Sequence, residues 1–533
     1  MDVTPQPLQS SDPNRSPLDP SGSPSAPSAS PTSSASPAPP DSSAPSAPSA
    51  PSAPSATVLA PPAPPPDPVP SAELPPPSLR TTLRRAALGV VAGAVLVTGA
   101  VVAVPDDEGK EAPPPPVPGS VSRALAATAA GSPVALADLK ALIGDRQRWV
   151  GVHPSDARSW AVLGAAYVEW GLRSADAAYY GRAERALRRS LDAGPGEDGD
   201  TARMGLAALA NARHDFGAAK KWGEAVRARE PKQWAVYPVL IDAYRGLGDD
   251  KSVNRAVERF AELRSGVPAL VQKARTYLDR GRHEDALASA QDAADRATAP
   301  AQKAECLYLL GELARKRGEP EEAVAQYGAA LRTDRTHHPS LAGRAAALAA
   351  LGRTDEAQRD YQAALAGLPR PEYMLELGEL YESLGQGRSA RSQYARLSET
   401  LARDAARGVD DALLRGRFEA DHGNPAEAVE VLRAEWARSH RSAAVADALG
   451  WALYRSGDPD AALEYAARAV GTGGQNASYS YHLGMIQRES GRYGPARRNL
   501  EEALRADPRF SPLAGPAARK ALDDLTAPPA DAG

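Results

Sequence analysis

Cysteine is almost missing from this 533-residue chain: Cys306 stands alone, so no intrachain disulfide framework and no cysteine-based zinc cluster can organise it. Aromatic residues are scarce at 5%, and Phe and Met occur 4 times each, which leaves little for a large aromatic core. A strong charge of either sign is lacking too. The 62 basic residues face 66 acidic ones, a formal −4, so no general field exists to hold nucleic acid or an anionic membrane surface. Nucleic acid is therefore not an expected partner. Compartment cannot be read from cysteine usage.

Proline, by contrast, is abundant and unevenly placed. Of the 50 prolines, 25 lie in residues 1–79, where Pro and Ser together fill 44 positions. Such a composition cannot bury a core, and residues 1–79 are expected to form a disordered tail, with the Ala-Pro-Ser units of 44–55 acting as a solvated spacer. Residues 105–133, with Pro113 to Pro116, read as a second Pro-rich linker and lead-in. Arg outnumbers Lys 52 to 10 amid plentiful Ala, Pro and Gly, the bias expected of a GC-rich bacterial genome.

Between these segments, Ala86 to Val104 runs 19 residues without a charge or a proline. At ~1.5 Å per helical residue that is close to the ~30 Å hydrocarbon thickness of a bilayer, so residues 86–104 are expected to form one transmembrane helix. Arg80, Arg84 and Arg85 precede it, whereas Lys110 is the only nearby basic residue after it. The positive-inside rule then places the tail in the cytoplasm and everything after Val104 outside it. A cleaved signal peptide is a poorer reading, because the leader would be far longer than an ordinary one.

The rest of the chain is periodic. Glycines recur at 248, 281, 318, 352, 385, 423, 457 and 491, a spacing of about 34 residues. Seven positions before them stand Ile241, Ala274, Gly311, Ala345, Gly378, Gly416, Gly450 and Gly484; five after stand Val253 and then Ala286, Ala323, Ala357, Ala390, Ala428, Ala462 and Ala496. A glycine that ends one helix in the left-handed conformation, flanked by small residues that let two antiparallel helices approach, describes a helix hairpin. Leu310, Leu377, Leu449 and Leu483 on first helices, with Tyr327, Tyr361, Tyr394, Leu432 and Leu500 on second helices, follow helical periodicity. Pro231, Pro369 and Pro508 are expected to stop second helices.

These residues resemble the tetratricopeptide repeat family. The resemblance is carried by Leu449-Gly450-Trp451-Ala452-Leu453-Tyr454 through Ala462, and by Leu483-Gly484 through Tyr493, Ala496, Ala503 and Pro508. Trp160, Leu163, Gly164 and Tyr167, followed by Ala183 and Pro195, give a further copy, and Leu206 to Pro231 a weaker one. About ten copies fill residues 157–508, two-thirds of the chain. Lys273, Arg344, Arg415 and Glu419 depart from the family's apolar or aromatic positions. The expected fold is all-α: an α-solenoid of about ten hairpins, introduced by a lead-in helix in 134–156 and closed by a capping helix in 509–525.

Catalytic patterns are weak. Gly471 to Asn476 is glycine-rich but lacks the Lys-Ser/Thr of a phosphate loop and falls at an inter-repeat turn. His337 and His338 have no third ligand at helical spacing and read as surface residues. Cys306 has Lys303 nearby but no histidine base, so a structural thiol is expected. No enzyme activity, metal or cofactor is expected. The resemblance implies instead a scaffold that binds a protein or peptide in the concave groove lined by first helices, and the expected span at 86–104 makes it a membrane-anchored one. Groove positions by register include Tyr308, Glu312 and Arg315, then Glu376, Glu379 and Glu382. Partner-binding candidates are Trp451, Tyr454, Arg455, Tyr481, Met485 and Arg488 in the last two copies, beside His482. The competing role for these aromatic side chains is packing between neighbouring hairpins. An alternative function is a cytoplasm-facing assembly or regulatory subunit of an enzyme complex.

Overall fold

The computed structural model describes residues 118–194, 197–438 and 440–526. The expected tail, the membrane span at 86–104 and the Pro-rich segment up to residue 117 lie outside them. Among the described residues no helix is long and apolar enough to cross a membrane.

The described residues form twenty-three α-helices and no strand. α1 (Ser120–Ala130) and α2 (Leu136–Val152) make an entry hairpin; α1 falls in a stretch read from sequence as linker. Ten hairpins follow. They pair α3 (Ala157–Ser174) with α4 (Ala178–Ala193), α5 (Glu197–Ala212) with α6 (Phe216–Arg229), α7 (Val236–Leu247) with α8 (Asp250–Leu263), and α9 (Val267–Asp279) with α10 (His283–Arg296). Next come α11 (Pro300–Lys316) with α12 (Pro320–Thr333), α13 (His338–Ala350) with α14 (Thr354–Gly367), and α15 (Pro371–Ser383) with α16 (Gly387–Ala405). The last three are α17 (Ala412–His422) with α18 (Pro425–Ala437), α19 (Ala443–Arg455) with α20 (Pro459–Thr472), and α21 (Ala477–Glu489) with α22 (Tyr493–Ala506). α23 (Ala514–Thr526) covers the final hairpin, burying Ala518 and Ala521.

Local chemistry sets these boundaries. After α7, Gly248 takes φ 71°, and the Gly248 and Asp249 amides donate to the carbonyls of Arg245 and Tyr244 at 3.0 and 2.9 Å, satisfying acceptors that the helix end would otherwise leave free. Six more of the recurring glycines are left-handed in the same way, but Gly423 is not. Its φ is −131°, because Glu419 folds back to accept the Asn424 amide at 2.9 Å and replaces the backbone bond that a left-handed glycine would make. Second helices α6, α8 and α20 begin on Asp215, Asp249 and Asp458, whose carboxylates accept amides in the first turn. Several others open on a proline, which lacks the amide that would go unsatisfied there.

In the fifth and in the seventh to tenth hairpins the first-helix glycine faces the residue sixteen positions on. A Cβ on Gly378 would lie 2.3 Å from the Tyr394 ring, and one on Gly416 or Gly484 would meet Leu432 or Leu500 at 2.4 and 2.9 Å. In the ninth hairpin both partners are small, and a Cβ on Gly450 would meet the Ala466 backbone nitrogen at 2.9 Å. Two of the departures from the repeat pattern are ion pairs inside hairpins. Arg344 grips Asp360 through two bonds of 2.6 and 2.9 Å, and Arg415 pairs with Glu427.

The stack winds back on itself every five hairpins. The turn of the second hairpin meets the chain after the seventh: the Asp410 amide donates to the Arg213 carbonyl at 3.0 Å, and His214 Nδ1 lies 3.0 Å from Asp411. The third meets the chain after the eighth, where a Cβ on Gly248 would lie 2.6 Å from the Arg441 carbonyl oxygen. The fourth meets the chain after the ninth: Gly281 and Gly474 oppose each other, and a Cβ on Gly474 would fall 2.8 Å from the Gly281 nitrogen. The fifth meets the chain after the tenth, with Gly318 against Ala506 and Asp507. The glycine-rich turn at 471–476 thus has a packing role, since backbone approaches this close leave no room for side chains.

Candidate functional site: the inner face of the superhelix

Closing the turns edge to edge converts the concave face of the first helices into the wall of an interior. Two connected cavities of about 760 and 790 Å³ line it, and Lys316, Tyr479 and Asn476 belong to both. Of the residues that follow the small first-helix positions, Asp242, Ala346, Glu379, Arg417 and Trp451 line the cavities, while Arg275, Glu312 and Met485 share their register.

Neighbouring first helices are tied by polar bonds on this face. Arg245 bonds Asp279 at 2.8 Å, and Arg275 pairs with Glu305, which His337 also meets at 3.2 Å. Enclosure disfavours charge on Glu305, but the His337 and Arg275 contacts outweigh it and hold the carboxyl down at about 2. Glu312 accepts from the Tyr327 hydroxyl and pairs with Arg315 at 3.0 Å. Glu376 has the opposite balance. Enclosure pushes it up to about 7 against the opposing pull of Arg315 and the Tyr361 hydroxyl, and the solvent that reaches it inside the chamber softens that cost. Farther on, His422 bridges Glu379 at 3.5 Å and Glu382 at 3.3 Å, while His482 lies 2.9 Å from Asp447.

The six partner-binding candidates do come together, but mainly in packing. Trp451 and Tyr481 are only 7% and 6% exposed, in the core of the last two hairpins. The Trp451 ring stacks on His482 at 4.2 Å and approaches Tyr454 at 5.0 Å, while its Nε1 donates to Asp421 at 2.8 Å. Tyr481 also contacts Phe510 at 5.6 Å. Tyr454 and Met485 are half-buried; Arg455 pairs with Asp421, and Arg488 reaches Asp524 at 3.4 Å. Of the six, Trp451 lines the first cavity, beside His482. The hairpin-packing role assigned from sequence as the competing one therefore accounts for most of their contacts.

Two other expectations need adjusting. His337 is not a surface residue, since it is wedged between Glu305 and Ser340, whose hydroxyl lies 2.8 Å from its Nδ1. His338 sits on Gly367, where an added Cβ would fall 1.9 Å from its ring. Cys306 is fully buried, and burial pushes its thiol up to about 11. Among the described residues no cluster of three or more His, Cys, Asp or Glu side chains is arranged to hold a metal. Sequence reasoning missed Lys316 and Arg417. Arg417 shares the register of Glu312 and Glu379, but that it lines the same cavity as Lys316 follows only from the winding.

The family model for the tetratricopeptide repeat matches residues 271–338 and 448–509. No curated protein matches the chain. Among solved structures, it is similar to a tetratricopeptide repeat protein from Parabacteroides merdae, at 19% identity, 49% of this chain, 99% of that one and a TM-score of 0.30. It is also similar to the Cut9-Hcn1 structure of the APC/C, at 16% identity over 77% of this chain and 84% of that one, TM-score 0.41. A third is MamA, at 21% identity over 31% of this chain and 97% of that one, TM-score 0.26. The two segments that match the tetratricopeptide repeat model lie within a run of ten helix hairpins among the described residues.

Proposed function

We propose that this chain is a non-catalytic scaffold that holds a protein partner against the inner face of its superhelix. The observation behind this reading is the interior wall itself: first helices line a chamber built from polar and apolar side chains of successive hairpins, reached by solvent and walled in by the winding. Such a surface suits an extended segment better than a small ligand, because its binding groups are spread over many helices. In the finer form of the proposal, residues 86–104 anchor the chain in a membrane with the repeats outside the cytoplasm. That part is supported by the uncharged run and by the arginines before it.

Photo-crosslinking in cells tests the scaffold reading. A photoreactive residue in place of Glu379 on the chamber wall should capture a protein partner, and the same residue in place of exposed Arg498 on α22 should not. Equal capture from both positions, or from Arg498 alone, would contradict it. A reporter active only outside the cytoplasm, fused after Gly533, tests the orientation; activity of a cytoplasmic reporter there would favour the cytoplasm-facing alternative.

A further inference from the structure

The winding leaves the hairpin turns in two different states. In the third, fourth and fifth hairpins the turn glycines Gly248, Gly281 and Gly318 are half-buried, each pressed by the backbone of a between-hairpin stretch five hairpins later, at Arg441, Gln475 and Ala506. The corresponding turns of the sixth, seventh, ninth and tenth hairpins have no such neighbour. Gly352, Gly385, Gly457 and Gly491 are exposed, and a Cβ on any of them would meet nothing within 4 Å. A row of turns of the kind that receives a between-hairpin stretch thus lies open along the second half of the chain. Two large apolar side chains stand on it, Leu384 at 37% and Tyr493 at 62% exposure.

The matching half lies at the start of the solenoid. The turn of the entry hairpin closes part of that edge itself: the Arg264 guanidinium donates to the Ala130 carbonyl at 2.8 Å, and Gln302 donates to the Ser132 hydroxyl at 3.1 Å. Two between-hairpin stretches stay exposed, 152–155 after the entry hairpin and 230–232 after the second. Val152, at 73%, is the most exposed large apolar side chain among the described residues, and Trp149 beside it is 43% exposed. The Trp149 ring is already braced by His153 at 4.1 Å and by Asp156, which its Nε1 reaches at 2.7 Å, so covering it costs little side-chain freedom.

We propose that these two edges take a second copy of this chain: the between-hairpin edge of the entry and first two hairpins of one copy seats on the open turns of the seventh to tenth hairpins of another. The contact continues one that the chain already makes with itself, where Arg441, Gln475 and Ala506 seat on the third to fifth turns. It covers Trp149, Val152, Leu384 and Tyr493, whose exposure nothing within the chain explains. Because it joins two different surfaces, each copy in a pair keeps one open edge, and association is head-to-tail. It is independent of what the chamber holds.

The test is sedimentation equilibrium of the full chain in density-matched detergent over a range of concentrations. The mass should rise with concentration past two copies. The double variant Leu384→Asp with Tyr493→Asp should weaken association by about tenfold or more, and so should Val152→Asp with His153→Asp, because each puts carboxylates into the contact. Mixed together, the two variants should form a one-to-one pair that grows no further, since each retains the edge that the other lacks. Arg497→Gln with Arg498→Gln, on the outer face of α22, should associate like the parent. Melting curves confirm that each variant folds, and Val152→Asp alone, which leaves His153 on Trp149, should weaken association in the same direction. A single-chain mass at every concentration would overturn the proposal. So would edge variants that associate like the parent, as they would if copies met through the chamber or merely shared a micelle. A mixture of the two edge variants that stays at single-chain mass would overturn it too, as would one edge variant that still pairs fully with itself, the mark of a symmetric contact.

Discussion

Tyr327 is held edge-on against Gly311: a Cβ at Gly311 would lie 2.5 Å from the Tyr327 ring, which is itself fully buried. Gly343 of the next hairpin closes on the same Cε1 and Cζ atoms of the ring, where a Cβ would come within 2.6 Å, so both neighbours confine it. One tyrosine thus fills the space that two glycines leave, and its hydroxyl reaches the inner wall at Glu312. Hairpin packing, hairpin stacking and the interior surface are joined at one side chain.

Gly311→Ala should therefore destabilise the protein by about 1–3 kcal/mol, because the added methyl overpacks a pinned ring. Urea unfolding would show it. Gly311→Ala combined with Tyr327→Leu should recover part of the loss, since leucine fills the same register in the eighth and tenth hairpins. No recovery would mean that the hydroxyl bond to Glu312, and not the ring volume, dominates at this position.

The contacts between turns make Gly474 different from other left-handed glycines. Both Gly474 at φ 66° and Gly491 at φ 71° disfavour a side chain, but around Gly491 an added Cβ meets nothing within 4 Å. Alanine at Gly491 should cost only about 1–2 kcal/mol of backbone strain. Alanine at Gly474 should cost more and should also enlarge the radius of gyration in solution scattering, as the two turns part. Equal effects at both sites would argue that the turns do not press together.

Cys306 should be inert in the native protein. A thiol pushed up to about 11 by burial is neither ionised nor reachable at neutral pH. A chromogenic disulfide reagent should titrate one thiol in denaturant and none before it. Rapid native labelling would place Cys306 outside the core.

Glu305 should contribute to stability at neutral pH and lose that contribution in acid. Its folded carboxyl titrates at about 2, below the unfolded value, so its contribution is complete above about pH 4.5 and disappears as pH falls toward 2. Glu305→Gln should lower stability at pH 7 and flatten the acid limb of the pH–stability curve. An unchanged acid limb would show that Arg275 and His337 do not hold the carboxylate as described.

The hairpins were legible in the sequence because a left-handed glycine and its small neighbours recur in register, and each is required locally. Gly423 breaks the conformation while keeping the spacing, since Glu419 supplies the missing acceptor through a side chain. α1 was less visible: Val121 and Leu125 are its only large apolar residues, and its end closes on the distant Trp234 ring, which a Cβ on Gly131 would meet at 3.0 Å, a contact no local pattern announces. The candidate site was half legible. Register identified Glu376, Glu379 and Trp451 as inward-facing, but burial of Trp451 and the presence of Lys316 and Arg417 in one cavity depend on superhelical pitch, which is set by many small packing angles and by no single motif.

The return of the chain on itself after five hairpins is the central claim, because the interior exists only if it holds. A Cβ at Gly281 would stand 3.8 Å from the Cβ of Gln475, within the ~3.5–4.5 Å span that a disulfide bridges. The measurement is the yield of an intrachain disulfide in Gly281→Cys with Gln475→Cys, made in a Cys306→Ser background and oxidised while folded. The account predicts near-complete intrachain crosslinking, seen as a faster-migrating band under non-reducing denaturing electrophoresis. Free thiols, or crosslinks only between chains, in a protein whose helical circular dichroism is intact would contradict it.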